Sequence, residues 1–90
     1  MNKIIITVVG KDTVGIIAKV CTYLSEHKVN ILDISQTIVQ DYFNMMMVVD
    51  ASDGDVDFDA LSEALDGIGQ DIGVSIRAQR EEIFDSMHRV

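Results

Sequence analysis

Proline is absent from the 90 residues, cysteine occurs once, and lysine and arginine together number seven against fifteen acidic residues. Without proline there is no cis-proline turn and no polyproline segment to accommodate. A single thiol, Cys21, cannot form a disulfide within the chain or supply the several thiolates of a one-chain zinc site. Its place in a helical apolar pattern marks it as a buried thiol rather than a redox sensor. The net charge of −8, with basic residues scattered, argues against direct nucleic-acid binding, which needs clustered Lys and Arg to displace counterions. No apolar run approaches the ~20 residues of a membrane helix, so no membrane partner is expected. Met1–Val9 is too short for a signal peptide and lacks a cleavage site. The expected location is the cytoplasm.

What is present is a chain with 48% apolar residues and no long polar tract, the composition of one small folded domain. Residues 3–9 are rich in β-branched side chains and end at Gly10, which predicts a buried strand. Ile4, Ile6 and Val8 share one face, and Lys3, Ile5, Thr7 and Val9 the other. From Ile16 the period changes: Ile17, Val20, Cys21 and Leu24 predict a helix with one buried stripe, finished by Glu26, His27 and Lys28. Residues 30–39 alternate again, with Leu32, Ile34 and Ile38 opposite Asp33, Ser35 and Thr37. Gln40-Asp41-Tyr42 is short enough for a hairpin into a third strand, Phe43–Asp50. Phe58, Leu61, Leu65, Ile68 and Ile72 mark a second helix with acidic residues at its start and Gly73 at its end. Val74, Ile76 and Ala78 alternate as a fourth strand. Ile83, Phe84 and Met87 predict a short C-terminal helix, dividing the chain into a domain over 1–80 and an extension over 81–90.

The order βαββαβ with right-handed crossovers predicts an α+β, ferredoxin-like fold: a four-stranded antiparallel sheet, two helices on one face, and the short terminal helix. The other sheet face would carry Ile5, Val9, Met46 and Val48, joined by Ile31 and Val39. An apolar patch of this kind marks an interface. Either the terminal helix or a second subunit covers it, and a homodimer is favoured because 90 residues bury little area and strand edges need protection.

The loop Gly10-Lys11-Asp12-Thr13-Val14-Gly15 carries the chemistry. Its glycines permit unusual backbone angles and close approach, and free amides at the following helix start attract negative groups. Asp12 is placed to cap that helix, a structural role that alone explains it. With Asn30 expected near the same edge of the domain, the loop offers amides, a carboxylate and a carboxamide to a zwitterion. Phosphate binding is weakly supported, for the loop has neither the lysine-serine ending nor the full dinucleotide glycine pattern.

Other clusters read blandly. Asp55, Asp57 and Asp59 have the odd-position carboxylates of a calcium loop, with Asp66 at the closing position. Ala60 replaces the required glycine, so an acidic helix start is the better account and no metal is expected. Met45, Met46 and Met47 alternate across a strand, so their sulfurs cannot converge on a soft metal. His27 and His88 have no partner visible in the sequence, so no catalytic residue, enzyme activity or cofactor is expected.

The segment Val9-Gly10-Lys11-Asp12-Thr13-Val14-Gly15-Ile16-Ile17, followed by Val29-Asn30-Ile31 and Gln36, resembles the ACT domain. That family carries an Asp/Asn-x-Pro-Gly-hydrophobic turn after its first strand and an Asn-Ile at the start of its second. The resemblance spans residues 2–80 and is similar to small stand-alone bacterial members related to the glycine cleavage system repressor. It implies regulation by small molecules, most often amino acids, bound between paired domains. By position, Gly10, Asp12, Gly15, Ile16, Asn30 and Ile31 would line the ligand site, with Asp12 accepting from an α-ammonium and Asn30 donating to a carboxylate. Val14 stands where the family usually has proline, and Gly10 where some members have a polar side chain. The implied output passes through a separate enzyme or regulator. The rival reading is a ligand-free interaction module that uses the open sheet face and the C-terminal helix.

Overall fold

The computed structural model describes residues 2–11 and 15–82 of the chain. Six elements follow one another: β1 (Lys3–Lys11), α1 (Ile16–Glu26), β2 (Asn30–Val39), β3 (Tyr42–Asp50), α2 (Phe58–Ile72) and β4 (Ser75–Arg80). The strands form one sheet in the order β2-β3-β1-β4, with every neighbouring pair antiparallel. This is the ferredoxin-like arrangement, and its element order is the one expected from the periodicities. Glu81 and Glu82 are helical; the rest of the expected terminal helix, and with it Ile83, Phe84, Met87 and His88, lies outside the described residues.

The core forms where the central strands meet the helices. Ile4, Ile6 and Val8 of β1 lie beside Phe43, Met45, Met47 and Val49 of β3, all buried. Val20 and Leu24 of α1 and Leu61 and Leu65 of α2 close over them. Each such side chain contributes about 1.5–3 kcal/mol by leaving water. Met45 and Met47 are core residues while Met46 faces the other way, as strand alternation requires. The buried stripe of α1 is displaced from expectation: Ile16 is in the core, Ile17 is exposed, and Cys21 is half-buried at the margin.

Both helices end in the same backbone device. At the end of α1 the Val29 N–H donates to the Leu24 carbonyl at 2.9 Å, and Lys28 takes a left-handed φ of 60°. At the end of α2 the Val74 N–H donates to the Gly69 carbonyl at 2.8 Å, with Gly73 left-handed at φ 86°. These six-residue closures satisfy carbonyls that the helix leaves open, and glycine is the usual left-handed residue. The start of α2 is capped by Asp57, whose carboxylate accepts the Ala60 N–H at 2.8 Å.

The edge strand β2 is the least covered part of the fold. Its register pairs Ile34 with Met47 and Ile38 with Phe43, which puts both isoleucines on the helix side of the sheet. They are nevertheless 41% and 53% exposed. A bulge between Ile31 and Asp33 adds one residue to β2. The bulge corrects one expectation: Ile31 pairs with Val49 and packs against the core, so it does not join the open face. That face does carry exposed Val9, Met46 and Val39, while Ile5 is buried between its neighbours Val48 and Gln79.

Candidate functional site

The turn after β1 is fixed at both margins by glycine for two different reasons. Gly10 lies on the helix side of β1, where a methyl group would stand 2.7 Å from Cγ1 of Val74. The absence of a side chain at Gly10 therefore lets the α2–β4 connection pack onto β1. Gly15 is the N-cap of α1 with a φ of 91°, a left-handed angle that L side chains rarely adopt. The first helical bond runs from the Lys19 N–H to the Gly15 carbonyl at 2.9 Å. The N–H groups of the preceding turn have no intrahelical acceptor, and no side chain caps them among the described residues. Such a terminus attracts anionic groups. Asp12, with Thr13 and Val14, lies outside the described residues, so its capping and ligand roles rest on sequence alone. Ile16 contributes backbone only to any ligand here, since its side chain belongs to the core.

Asn30 and Ile31 are at the opposite end of the sheet. Asn30 pairs with Asp50, which pairs with Lys3 at the start of β1, whereas Gly10 pairs with Phe43 and through it aligns with Ile38. Seven residues of β3 separate the two rows, roughly 23 Å at about 3.3 Å per residue. A β–α–β crossover demands this, since it starts its two parallel strands, β1 and β2, at the same end. Gly10 and Asn30 of one chain therefore lie at opposite ends of the sheet, contrary to the expectation that they share an edge. Asn30 itself is exposed.

That second end has its own polar cluster. The Ser52 hydroxyl donates to Oδ1 of Asp50 at 2.6 Å, the Ser52 N–H donates to the same oxygen at 2.9 Å, and the Asn2 N–H donates to Ser52 Oγ at 2.9 Å. The Ser52 hydroxyl, followed by its amide, holds the Asp50 carboxyl below its ordinary range. Nearby, Nδ1 of His27 lies 2.7 Å from Oδ1 of Asp55, and the imidazole rests against the Tyr23 ring at 4.4 Å. Partial burial, and then the Asp55 charge, raises the Tyr23 phenol above its ordinary value. Sequence analysis gave His27 no neighbour. Asp55 is 28 positions away, and the backbone bond from the Asp55 N–H to the His27 carbonyl is what joins the two turns. Of the acidic trio weighed as a calcium loop, Asp57 caps a helix and Asp55 pairs with a histidine.

Residues 2–79 match the model of the ACT domain family. The chain belongs to that family. A UPF0237 protein of Bifidobacterium longum is 68% identical over 90 residues, covering 100% of both chains. The solved structure of an ACT domain protein from Streptococcus pneumoniae superposes with a TM-score of 0.80 at 46% identity, covering 97% of this chain and 98% of that one. A crystal structure described as that of a candidate glycine cleavage system transcriptional repressor superposes with a TM-score of 0.73 over 88% of this chain and 45% of that one. At 24% identity the latter likeness is one of fold. ACT domains are commonly regulatory, ligand-binding units rather than catalytic ones. No helix among the described residues is long and apolar enough to cross a membrane.

Proposed function

We propose that this ACT domain is a regulatory module that binds an amino acid or similar small metabolite between two copies of itself and signals to a separate enzyme or regulator. The observation that carries the reading is the state of β2. Ten residues long, it has one free edge and a single charged side chain, Asp33. Ile34 and Ile38 are left uncovered on its helix side. Exposed edges of this length and polarity are templates for pairing.

Antiparallel pairing of two β2 edges about a two-fold axis also resolves the separation of the site residues. It sets the Asn30 end of one copy beside the Val39 end of the other, the end at which the second copy's Gly10–Gly15 loop and α1 amides lie. Each pair then has two equivalent sites. In each, the helix start and loop of one copy receive a carboxylate, and Asn30 of the other adds a carboxamide. A ligand that fits only this arrangement shifts the population toward it, and that shift is the signal.

The test combines sedimentation with a thermal-shift and calorimetric screen of the common amino acids. A dimer whose melting temperature rises with one class of amino acid, and whose response is lost in Asn30→Ala and Asp12→Ala, supports the reading. A protein that stays monomeric and responds to none of them defeats it. A second reading, a ligand-free interaction module, is favoured by the exposed Val9, Met46 and Val39 on the open sheet face. It predicts that changes on that face abolish partner capture while loop changes do not.

A further inference from the structure

The second sheet edge is built differently from the first. β4 lies at the far margin, where no other strand among the described residues pairs with its outer side, and α2 runs beside it. Between them is an open groove of about 740 Å³ whose floor is Ile76–Gln79 of the strand. Its helix wall presents Asp59, Glu63 and Asp66, spaced four and three residues apart and so on one side of α2. Among the described residues no ion pair engages Asp59 or Glu63, and Asp66 accepts only the Gln70 side-chain amide at 2.9 Å. Arg77 also lines the groove, but among the described residues neither arginine of β4 forms an ion pair with the wall. Arg77 pairs with Thr7, on the open-face register of β4, and the Arg80 guanidinium sits over the Phe58 ring at 4.5 Å.

We propose that this groove receives an extended, basic segment of a partner protein, which adds to β4 as a fifth strand. Backbone pairing along Ser75–Arg80 supplies the affinity, and Lys or Arg at alternate positions of the incoming strand meet Asp59, Glu63 and Asp66. Charge selects this occupant over a second copy of the chain. Antiparallel pairing of two β4 edges brings α2 beside its own symmetry mate, carboxylates against carboxylates, with a net charge of −8 on each copy. The groove lies across the sheet from β2, so the inference stands apart from the ligand reading, and its test needs no amino acid.

The experiment uses isotope-labelled full-length protein and three short synthetic peptides: one of alternating lysine and valine, one of alternating glutamate and valine, and the lysine peptide N-methylated on every second backbone amide. Fluorescence anisotropy gives affinities and amide shifts give the location. The lysine peptide is expected to bind and to shift the amides of Ser75–Arg80. The N-methylated peptide and the triple variant Asp59→Asn, Glu63→Gln, Asp66→Asn are each expected to weaken binding about tenfold or more, the size of several summed surface charge pairs or a few backbone bonds. An unchanged melting curve for the triple variant keeps the comparison free of unfolding. Any of four results overturns the proposal: no binding of the lysine peptide, equal binding of the glutamate or N-methylated peptides, shifts confined to β2 or spread over the surface, or a β4 edge already protected in the free protein by another copy or by residues 83–90.

Discussion

Val74 fills the space that a side chain at Gly10 would need, with its Cγ1 and Cβ 2.7 Å and 2.9 Å from where the first added carbon would lie. The contact joins the end of β1 to the connection between α2 and β4. Part of the glycine-bounded turn is therefore required by packing, before any ligand is considered. Gly10→Ala should destabilise the fold by about 1–3 kcal/mol, the range for an over-packed core. Chemical denaturation checks this, and because Val74→Ala removes Cγ1 while keeping Cβ, the double variant Gly10→Ala, Val74→Ala should lose less than the sum of the two single variants. Strictly additive losses would show that the contact is not responsible.

The two helix ends make a matched pair of predictions. Lys28 takes the left-handed position that glycine takes at Gly73, and a non-glycine residue there is disfavoured by about 1 kcal/mol. Lys28→Gly should raise stability by up to ~1 kcal/mol, and Gly73→Ala should lower it by about as much. Thermal unfolding of both variants settles the point. A destabilised Lys28→Gly would mean that the Lys28 side chain matters more than its backbone angle.

The Asp50–Ser52 pair predicts a pH dependence with a definite sign. The folded-state pKa of Asp50 is depressed, chiefly by the Ser52 hydroxyl. Its contribution to stability is therefore fully present above the ordinary carboxylate pKa and is lost as pH falls through the lower, folded value. Ser52→Ala removes one of the two donors from the Asp50 oxygen. The stability gap between wild type and Ser52→Ala should be widest at neutral pH and close progressively below about pH 4. Urea titrations across that window measure it, and a gap that stays constant with pH would refute the assignment.

Ile34 and Ile38 test the pairing of copies. Both side chains are exposed on the edge strand, so changing them to lysine should leave the monomer fold almost undisturbed, within about 0.5 kcal/mol. In the proposed dimer the same substitutions bury charge at the seam. Sedimentation of the double variant should show monomers at concentrations where the wild type is paired. A variant that pairs as well as the wild type would remove β2 from the interface.

Much of this structure was legible in the chain. The strand over 30–39, the hairpin turn at Gln40 and Asp41, and the stop at Gly73 fall where alternation, loop length and glycine put them. The misplacements have specific causes. The buried stripe of α1 starts at Ile16 rather than Ile17 because a helical pattern with several apolar residues at its start fits two rotations equally well. Ile31 was assigned to the wrong face because the bulge adds a residue that strict alternation cannot see. Ile5 is covered by cross-strand neighbours, a tertiary effect. The His27–Asp55 contact joins two turns far apart in sequence. The placement of Asn30 away from the loop, by contrast, follows from the direction of a β–α–β crossover and was available from topology alone.

The two margins of the sheet have unequal prospects for growth. Copies joined along β2, as proposed, would still present β4 at each extremity, and a flat ribbon would lengthen without limit if those extremities matched each other. In the proposed pair, the row Asp59, Glu63 and Asp66 beside each β4 would set like charge against like charge at those extremities and disfavour growth beyond two copies.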